Sequence, residues 1–110
     1  MVVEDDEAIR SSIAELVNVS NFSSLTVSSG EEALSILKAC EDKPCLILVD
    51  LVMPGMSGDE LIAHIKLIRE IANIPIIVMT ASNREAPKGI PCIRKPFSID
   101  ELLDAIDKNC

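Results

Sequence analysis

The sequence predicts an α/β domain in three layers, a parallel sheet with helices on both faces. Three observations carry that expectation. Short apolar runs alternate with amphipathic stretches along the whole chain. Two of those runs are nearly unbroken Leu, Ile and Val, as strands covered on both sides should be. The motif S-x-x-E recurs at three predicted helix starts. Alternation of this kind implies parallel strands joined by right-handed crossovers.

In order, the predicted strands occupy residues 1–3, 25–27, 45–49, 74–79 and 91–93. Ile9, Ile13, Leu16 and Val17 form the first helical stripe, and Ala33, Leu34, Leu37 and Lys38 mark the second. The third runs through Leu61, Ile62, Ile65 and Ile68, and the last through Ile99, Leu102, Leu103 and Ile106. Ser29 with Glu32, Ser57 with Glu60, and Ser98 with Glu101 are the candidate capping boxes, each cap worth about 1 kcal/mol. Residues 81–90, interrupted by Pro87 and Gly89, fall short of the dozen or more that a parallel crossover takes. One helical turn or a loop is expected there.

With 110 residues, the chain is read as one domain spanning 1–110. Hydrophobic residues make up 48%, but Phe22 and Phe97 are the only aromatics, so the core must be aliphatic. No apolar run approaches the ~20 residues of a membrane span, and no basic segment precedes an apolar one as in a secretory signal. Cys40, Cys45, Cys92 and Cys110 lack C-x-x-C spacing and are expected to be free thiols in a reducing cytoplasm. A net charge of −8 argues against direct nucleic-acid binding.

In an open parallel sheet, ligands bind beyond the carboxyl ends of the strands. The first strand ends in Glu4-Asp5-Asp6, the third in Asp50, the fourth in Thr80 and the fifth in Arg94-Lys95. Singly, each has a bland explanation: Asp5, Asp6 and Glu7 suit the positive end of a helix dipole, and Lys95 suits solvent. Together they place carboxylates, a hydroxyl and an ammonium on one edge. Two carboxylates ~5 Å apart repel by roughly 3 kcal/mol at an effective dielectric of 20, so such a cluster asks for a cation. With only hard oxygen donors nearby, magnesium is favoured over zinc or copper, and an open magnesium site suits phosphoryl chemistry at Asp50. Lys95 and the Thr80 hydroxyl would then hold phosphoryl oxygens.

From Val2 to about Ala105 the chain resembles the receiver domains of two-component response regulators. The segments that carry the resemblance are Val2-Val3-Glu4-Asp5-Asp6, the run from Leu48 through Asp50 and Pro54 to Gly58, Met79-Thr80-Ala81, and Arg94-Lys95-Pro96-Phe97. The resemblance implies a flavodoxin-like sheet ordered 2-1-3-4-5, with Asp50 as phosphoacceptor. It implies magnesium on Asp5, Asp50 and the Val52 carbonyl, with Glu4 supporting through water. Thr80, the Ala81 amide and Lys95 would contact the phosphoryl group, and the Lys95–Pro96 bond would be cis. It further implies a cytoplasmic signalling switch that is not itself an enzyme, although such domains promote their own phosphorylation and dephosphorylation. The donor would be a histidine kinase or a histidine phosphotransfer protein, and a longer chain could add an output domain.

Three departures qualify the resemblance. The first strand looks clipped, so the chain could be a fragment; the interval from Thr80 to Lys95 is short, so the family's fourth helix is shortened or missing; and Cys92 stands where an aromatic is usual. Cys92 is expected to be a small buried residue, and the response to phosphorylation to stay near Thr80 and residues 50–58. An aspartyl-phosphate hydrolase of the haloacid-dehalogenase kind is disfavoured because Val52 occupies the second acid of D-x-D. Neither G-x-G-x-x-G nor G-x-x-x-x-G-K-[ST] occurs. The runner-up is a receiver-like module used for phosphorylation-independent protein interaction. His64 is expected on the surface, Met53 and Met56 packing locally, and Gly55 and Gly58 serving turn geometry.

Overall fold

A computed structural model describes residues 1–20, 22–80, 87–95 and 97–110. Within these, β1 (Val2–Val3) leads to α1 (Glu7–Val19), β2 (Thr26–Val27) to α2 (Gly30–Ala39), and β3 (Ile47–Asp50) to α3 (Gly58–Leu67). Next come β4 (Ile76–Thr80), β5 (Cys92–Arg94) and α4 (Ile99–Asn109). The strands form one sheet in the order β2-β1-β3-β4-β5, all pairs parallel. No helix lies between β4 and β5 among the described residues, so α4 is the helix that follows the last strand. Residues 81–86, which hold most of the short connection, lie outside the described set, as does Pro96.

Side-chain alternation sorts the core into two layers. Met1, Val3, Ile47, Val49, Ile76 and Val78 point to one face, where Leu34 and Leu37 of α2 and Leu61 and Ile65 of α3 cover them. Val2, Leu48, Ile77, Met79 and Ile93 point to the other, beneath Ile13 and Val17 of α1 and Leu102 and Ile106 of α4. Full burial of one such aliphatic side chain contributes about 1.5–3 kcal/mol. Both phenylalanines pack, half-buried, against the α1–α4 layer.

Helix starts follow the local signals closely. Ser57 and Ser98 form complete capping boxes with Glu60 and Glu101. At Ser29 the hydroxyl accepts from the Glu32 amide, but the acid that does further work is Glu31, which accepts the Met56 amide at 3.1 Å. α3 stops one residue before Ile68, which caps its carboxyl end and still packs against the core. His64 is exposed, as expected.

The cysteines depart from expectation. Cys45 and Cys110, 65 residues apart, are joined as a disulfide with Cα atoms 5.1 Å apart. Sequence spacing could not reveal this, because the pair meets only after α4 folds back along the sheet. Cys45 also precedes β3 instead of opening it. Cys92 is exposed, not buried: β5 is an edge strand, and its short alternation turns only Ile93 inward.

Candidate acidic site at the carboxyl rim of the sheet

Strand register brings the site together. Val3 pairs with Val49, so the residues that follow, Glu4 and Asp50, stand side by side. Thr80 pairs with Arg94, and the Lys95 amide donates to the Thr80 carbonyl at 2.7 Å, carrying Lys95 over the end of β4. Alternation continues past the strand ends: Glu4 follows the parity of Val2, Asp50 that of Leu48 and Lys95 that of Ile93, all on the α1–α4 face.

The contacts agree with that parity. The Lys95 ammonium lies 2.8 Å from Glu4 Oε2 and 3.7 Å from Asp50 Oδ2. Carboxylate oxygens of Glu4, Asp5 and Asp50 all lie within 4.8 Å of one another. Glu4 and Asp50 are buried whereas Asp5 is exposed, so the cluster opens to solvent on the Asp5 side. Among the described residues, these three carboxylates face the Lys95 ammonium, and each carboxylate pair at that separation repels by roughly 3 kcal/mol at an effective dielectric of 20. The surplus is two negative charges presented through oxygen atoms alone, a donor set that fits a hard divalent cation. Burial pushes the Glu4 carboxyl above the usual glutamate range, opposed by the Lys95 hydrogen bond and reinforced by the Asp50 charge.

The three consecutive acids divide their labour. Glu4 reaches inward to Lys95, and its Oε1 also accepts the Asp6 amide at 3.4 Å. Asp5 turns to the metal-competent cluster. Asp6 is the N-cap of α1, its Oδ1 accepting the Ile9 amide at 2.9 Å. Arg10, which sequence reading passed over, steadies the turn by donating to the carbonyls of Glu4 at 2.9 Å and Asp5 at 3.4 Å. An arginine one turn into a helix, behind an acidic segment, was the available signal.

The loop after Asp50 is fixed from several sides. The Val52 amide donates to Asp50 Oδ1 at 3.3 Å, and the Gly58 amide donates to the Leu51 carbonyl at 3.0 Å. Gly55 turns the chain with φ +73°, a conformation that glycine adopts without strain. Gly58 answers a different need: a Cβ there would sit 2.5 Å from the Asp50 carbonyl oxygen and 2.6 Å from Leu51 Cα. The first turn of α3 therefore rests directly on the end of β3. Met53 is buried and Met56 lies against Gly30, where an added Cβ would come 2.8 Å from the Met56 sulfur. Thr80 is buried at the end of β4. Of the residues expected at the site, Glu4, Asp5, Asp50 and Lys95 converge, Val52 adjoins them through its amide, and Ala81 lies outside the described residues.

Comparison with known proteins places the chain in a family. The model of the response regulator receiver domain matches residues 1–107, and the chain belongs to that family, a component of two-component signalling. Among curated relatives, the sporulation initiation phosphotransferase F of Bacillus subtilis is 33% identical over 98% of this chain and 90% of its own length. The phosphate regulon transcriptional regulatory protein PhoB of Pseudomonas aeruginosa is 34% identical over 94% of this chain, which spans only 47% of that longer protein. Among solved structures, the chemotaxis protein CheY4 of Vibrio cholerae superposes with a TM-score of 0.86 over 99% of this chain and 95% of its own, at 22% identity. No helix among the described residues is long and apolar enough to cross a membrane.

Proposed function

We propose that the chain is a phosphoacceptor switch of a His–Asp phosphorelay, taking a phosphoryl group on Asp50 in a magnesium-dependent reaction. The observation that carries this reading is the Asp50 carboxylate at the end of β3, flanked by Glu4 and Asp5 and 3.7 Å from the Lys95 ammonium. An Asp50 oxygen would attack phosphorus, forming an acyl phosphate as the donor's bond to phosphorus breaks and its leaving group takes up a proton. Asp5, Asp50 and the Val52 carbonyl would hold magnesium, with Glu4 supporting them, and the ion would supply positive charge for the phosphoryl oxygens. Lys95, the Thr80 hydroxyl and the Ala81 amide would bind the same oxygens. Lys95 would loosen from Glu4 to do so, leaving Glu4 to the metal's water.

In this reading the donor is a histidine kinase or a phosphotransfer protein, and the reaction runs in the cytoplasm. The chain acts as an acceptor that promotes its own phosphorylation and dephosphorylation rather than as an enzyme with a separate substrate. An apolar groove of about 690 Å³, lined by Ile9, Ile13 and Leu16 of α1 together with Lys95 and Phe97, adjoins the acceptor and offers a donor a seat. The deciding measurement is intact mass after incubation with acetyl phosphate and magnesium. The wild-type chain should gain one phosphoryl group and Asp50→Asn none. Labelling that persists in Asp50→Asn at another residue would remove Asp50 from its role, and an unlabelled wild-type chain would leave a module that only docks.

A further inference from the structure

Both bridged cysteines sit at the opposite rim of the sheet from Asp50, and neither has a part in phosphoryl chemistry. Cys45 lies in the lead-in to β3, immediately before the buried Leu46. Cys110 follows α4 and remains on its helical track, its amide donating to the Ile106 carbonyl at 2.9 Å. Each is therefore fixed by its neighbours, and their Cα separation of 5.1 Å falls within the ~4.4–6.8 Å that a disulfide spans. Both are exposed, so a small disulfide in solvent can reach them. The lead-in is held from the other side by Lys43, whose ammonium donates to the Leu37 carbonyl at 2.7 Å at the end of α2. The bridge thus ties the carboxyl end of α4 to the start of the acceptor strand.

We propose that Cys45 and Cys110 form a reversible thiol–disulfide modification site, which locks the last turn of α4 to the sheet when oxidised and releases it when reduced. Oxidised glutathione serves as the oxidant. One cysteine thiolate attacks a glutathione sulfur, the glutathione S–S bond breaks, and one glutathione leaves. The second cysteine thiolate then attacks the protein-bound sulfur and expels the other glutathione. Two electrons pass from the cysteine sulfurs to glutathione, and the two cysteine protons end on the two released thiols. α4 packs beside α1 on one face of the sheet, so the bridge acts on the layer that also forms the groove next to Lys95. Oxidation would stiffen this layer while leaving the carboxylates of the other rim in place, giving the domain a second, redox input.

The test uses the whole chain, fully reduced and then equilibrated in mixtures of reduced and oxidised glutathione. Intact mass should fall by two hydrogens as the mixture becomes more oxidising and return on reduction. A digest without reductant should link the Cys45 peptide to the Cys110 peptide, with Cys40 and Cys92 left as thiols. Amide exchange over residues 106–110 should slow by about tenfold or more on oxidation, as local opening is suppressed. Both Cys45→Ser and Cys110→Ser should abolish the mass loss and the exchange difference, and the reduced wild-type chain serves as the reference if either variant folds poorly. Absence of the mass loss, a bridge through Cys40 or Cys92, or a Cys45–Cys110 bridge without slowed exchange would each overturn the proposal. Acetyl phosphate labelling of the same samples reads the acceptor separately, so its failure would leave this result standing.

Discussion

The same strands that deliver charge to one rim of the sheet deliver apolar and covalent contacts to the other. At the carboxyl rim, Glu4, Asp5 and Asp50 crowd together beside the Lys95 ammonium. At the amino rim, Met1, Phe22, Leu46 and Ile106 enclose a cavity of about 80 Å³, and the Cys45–Cys110 bridge lies at its edge. The first rim concentrates carboxylate repulsion that a divalent cation would offset, and the second holds the layers together. Substitutions should separate accordingly, with chemistry lost at one rim and stability at the other.

The amino rim nevertheless buries an ionisable group: in the 110-residue polypeptide the Met1 amine is enclosed there, and its titration should give the largest effect on stability. The Met1 amine donates to the Leu46 carbonyl at 2.8 Å, and burial lowers its pKa from the ordinary 8.0 to about 6. Between those values the unfolded chain still binds a proton that the folded chain has released. Unfolding free energy should therefore rise with pH from 6 to 8, by roughly 2–3 kcal/mol over two pKa units. Glu4, with its raised pKa, contributes in the opposite sense at lower pH. Urea unfolding across this range, beside a chain lengthened ahead of Met1 so that an amide replaces the ammonium, isolates the amine. An equal slope in the lengthened chain would assign the effect to another group.

Gly58 challenges the division of the rims from the other side. It belongs to the loop after Asp50, yet its lack of a side chain is a packing requirement, because a Cβ would overlap the Asp50 carbonyl and Leu51 Cα. Gly58→Ala should cost about 1–3 kcal/mol, the usual range for overpacking, and should slow Asp50 phosphorylation by displacing the loop. A variant as stable as the parent would show that α3 can retreat from the strand end.

Much of this architecture was legible because burial on both faces leaves few alternatives. The aliphatic runs that became β3 and β4 had to be central strands, and the stripes through Ile13, Leu37, Ile65 and Leu102 had to face them. Strand ends shifted by a residue or two because hydrophobicity continues past the last ladder hydrogen bond, as at Leu46 and Ile74, both buried outside their strands. The acidic cluster was legible as a set, since each member closes a strand. Partition within Glu4-Asp5-Asp6 was not, because it depends on where α1 begins. Contacts between distant segments were also hidden: Glu31 to the Met56 amide and Cys45 to Cys110 have no local pattern. Cys92 misled because a strand was equated with burial, and an edge strand of three residues turns two of them outward.

Within the acidic turn, Asp5 should matter for metal and not for folding. It is exposed and belongs to the three-carboxylate cluster, so Asp5→Ala should weaken magnesium binding by about tenfold or more, equivalent to ~1.4 kcal/mol. Its melting temperature should match the parent's. Glu4→Ala should weaken magnesium less, and calorimetric titration of the two variants ranks them. A larger loss in Glu4→Ala would make the buried acid the principal ligand.

Asp6→Ala is the smallest expected effect and the sharpest test of the register. Asp6 differs from Asp5 by one position, yet its carboxylate faces α1, where Oδ1 accepts the Ile9 amide and satisfies one of the unpaired donors in the first turn. Its negative charge also lies at the positive end of the helix dipole. Replacing such an N-cap with alanine costs about 1 kcal/mol, so Asp6→Ala should unfold at slightly lower urea while binding magnesium as the parent does. Asp6→Asn, which keeps the accepting oxygen, should recover most of that loss. The opposite pattern, with magnesium weakened and stability intact, would move the metal ligand from Asp5 to Asp6 and shift the acidic turn by one residue relative to the strand that presents it.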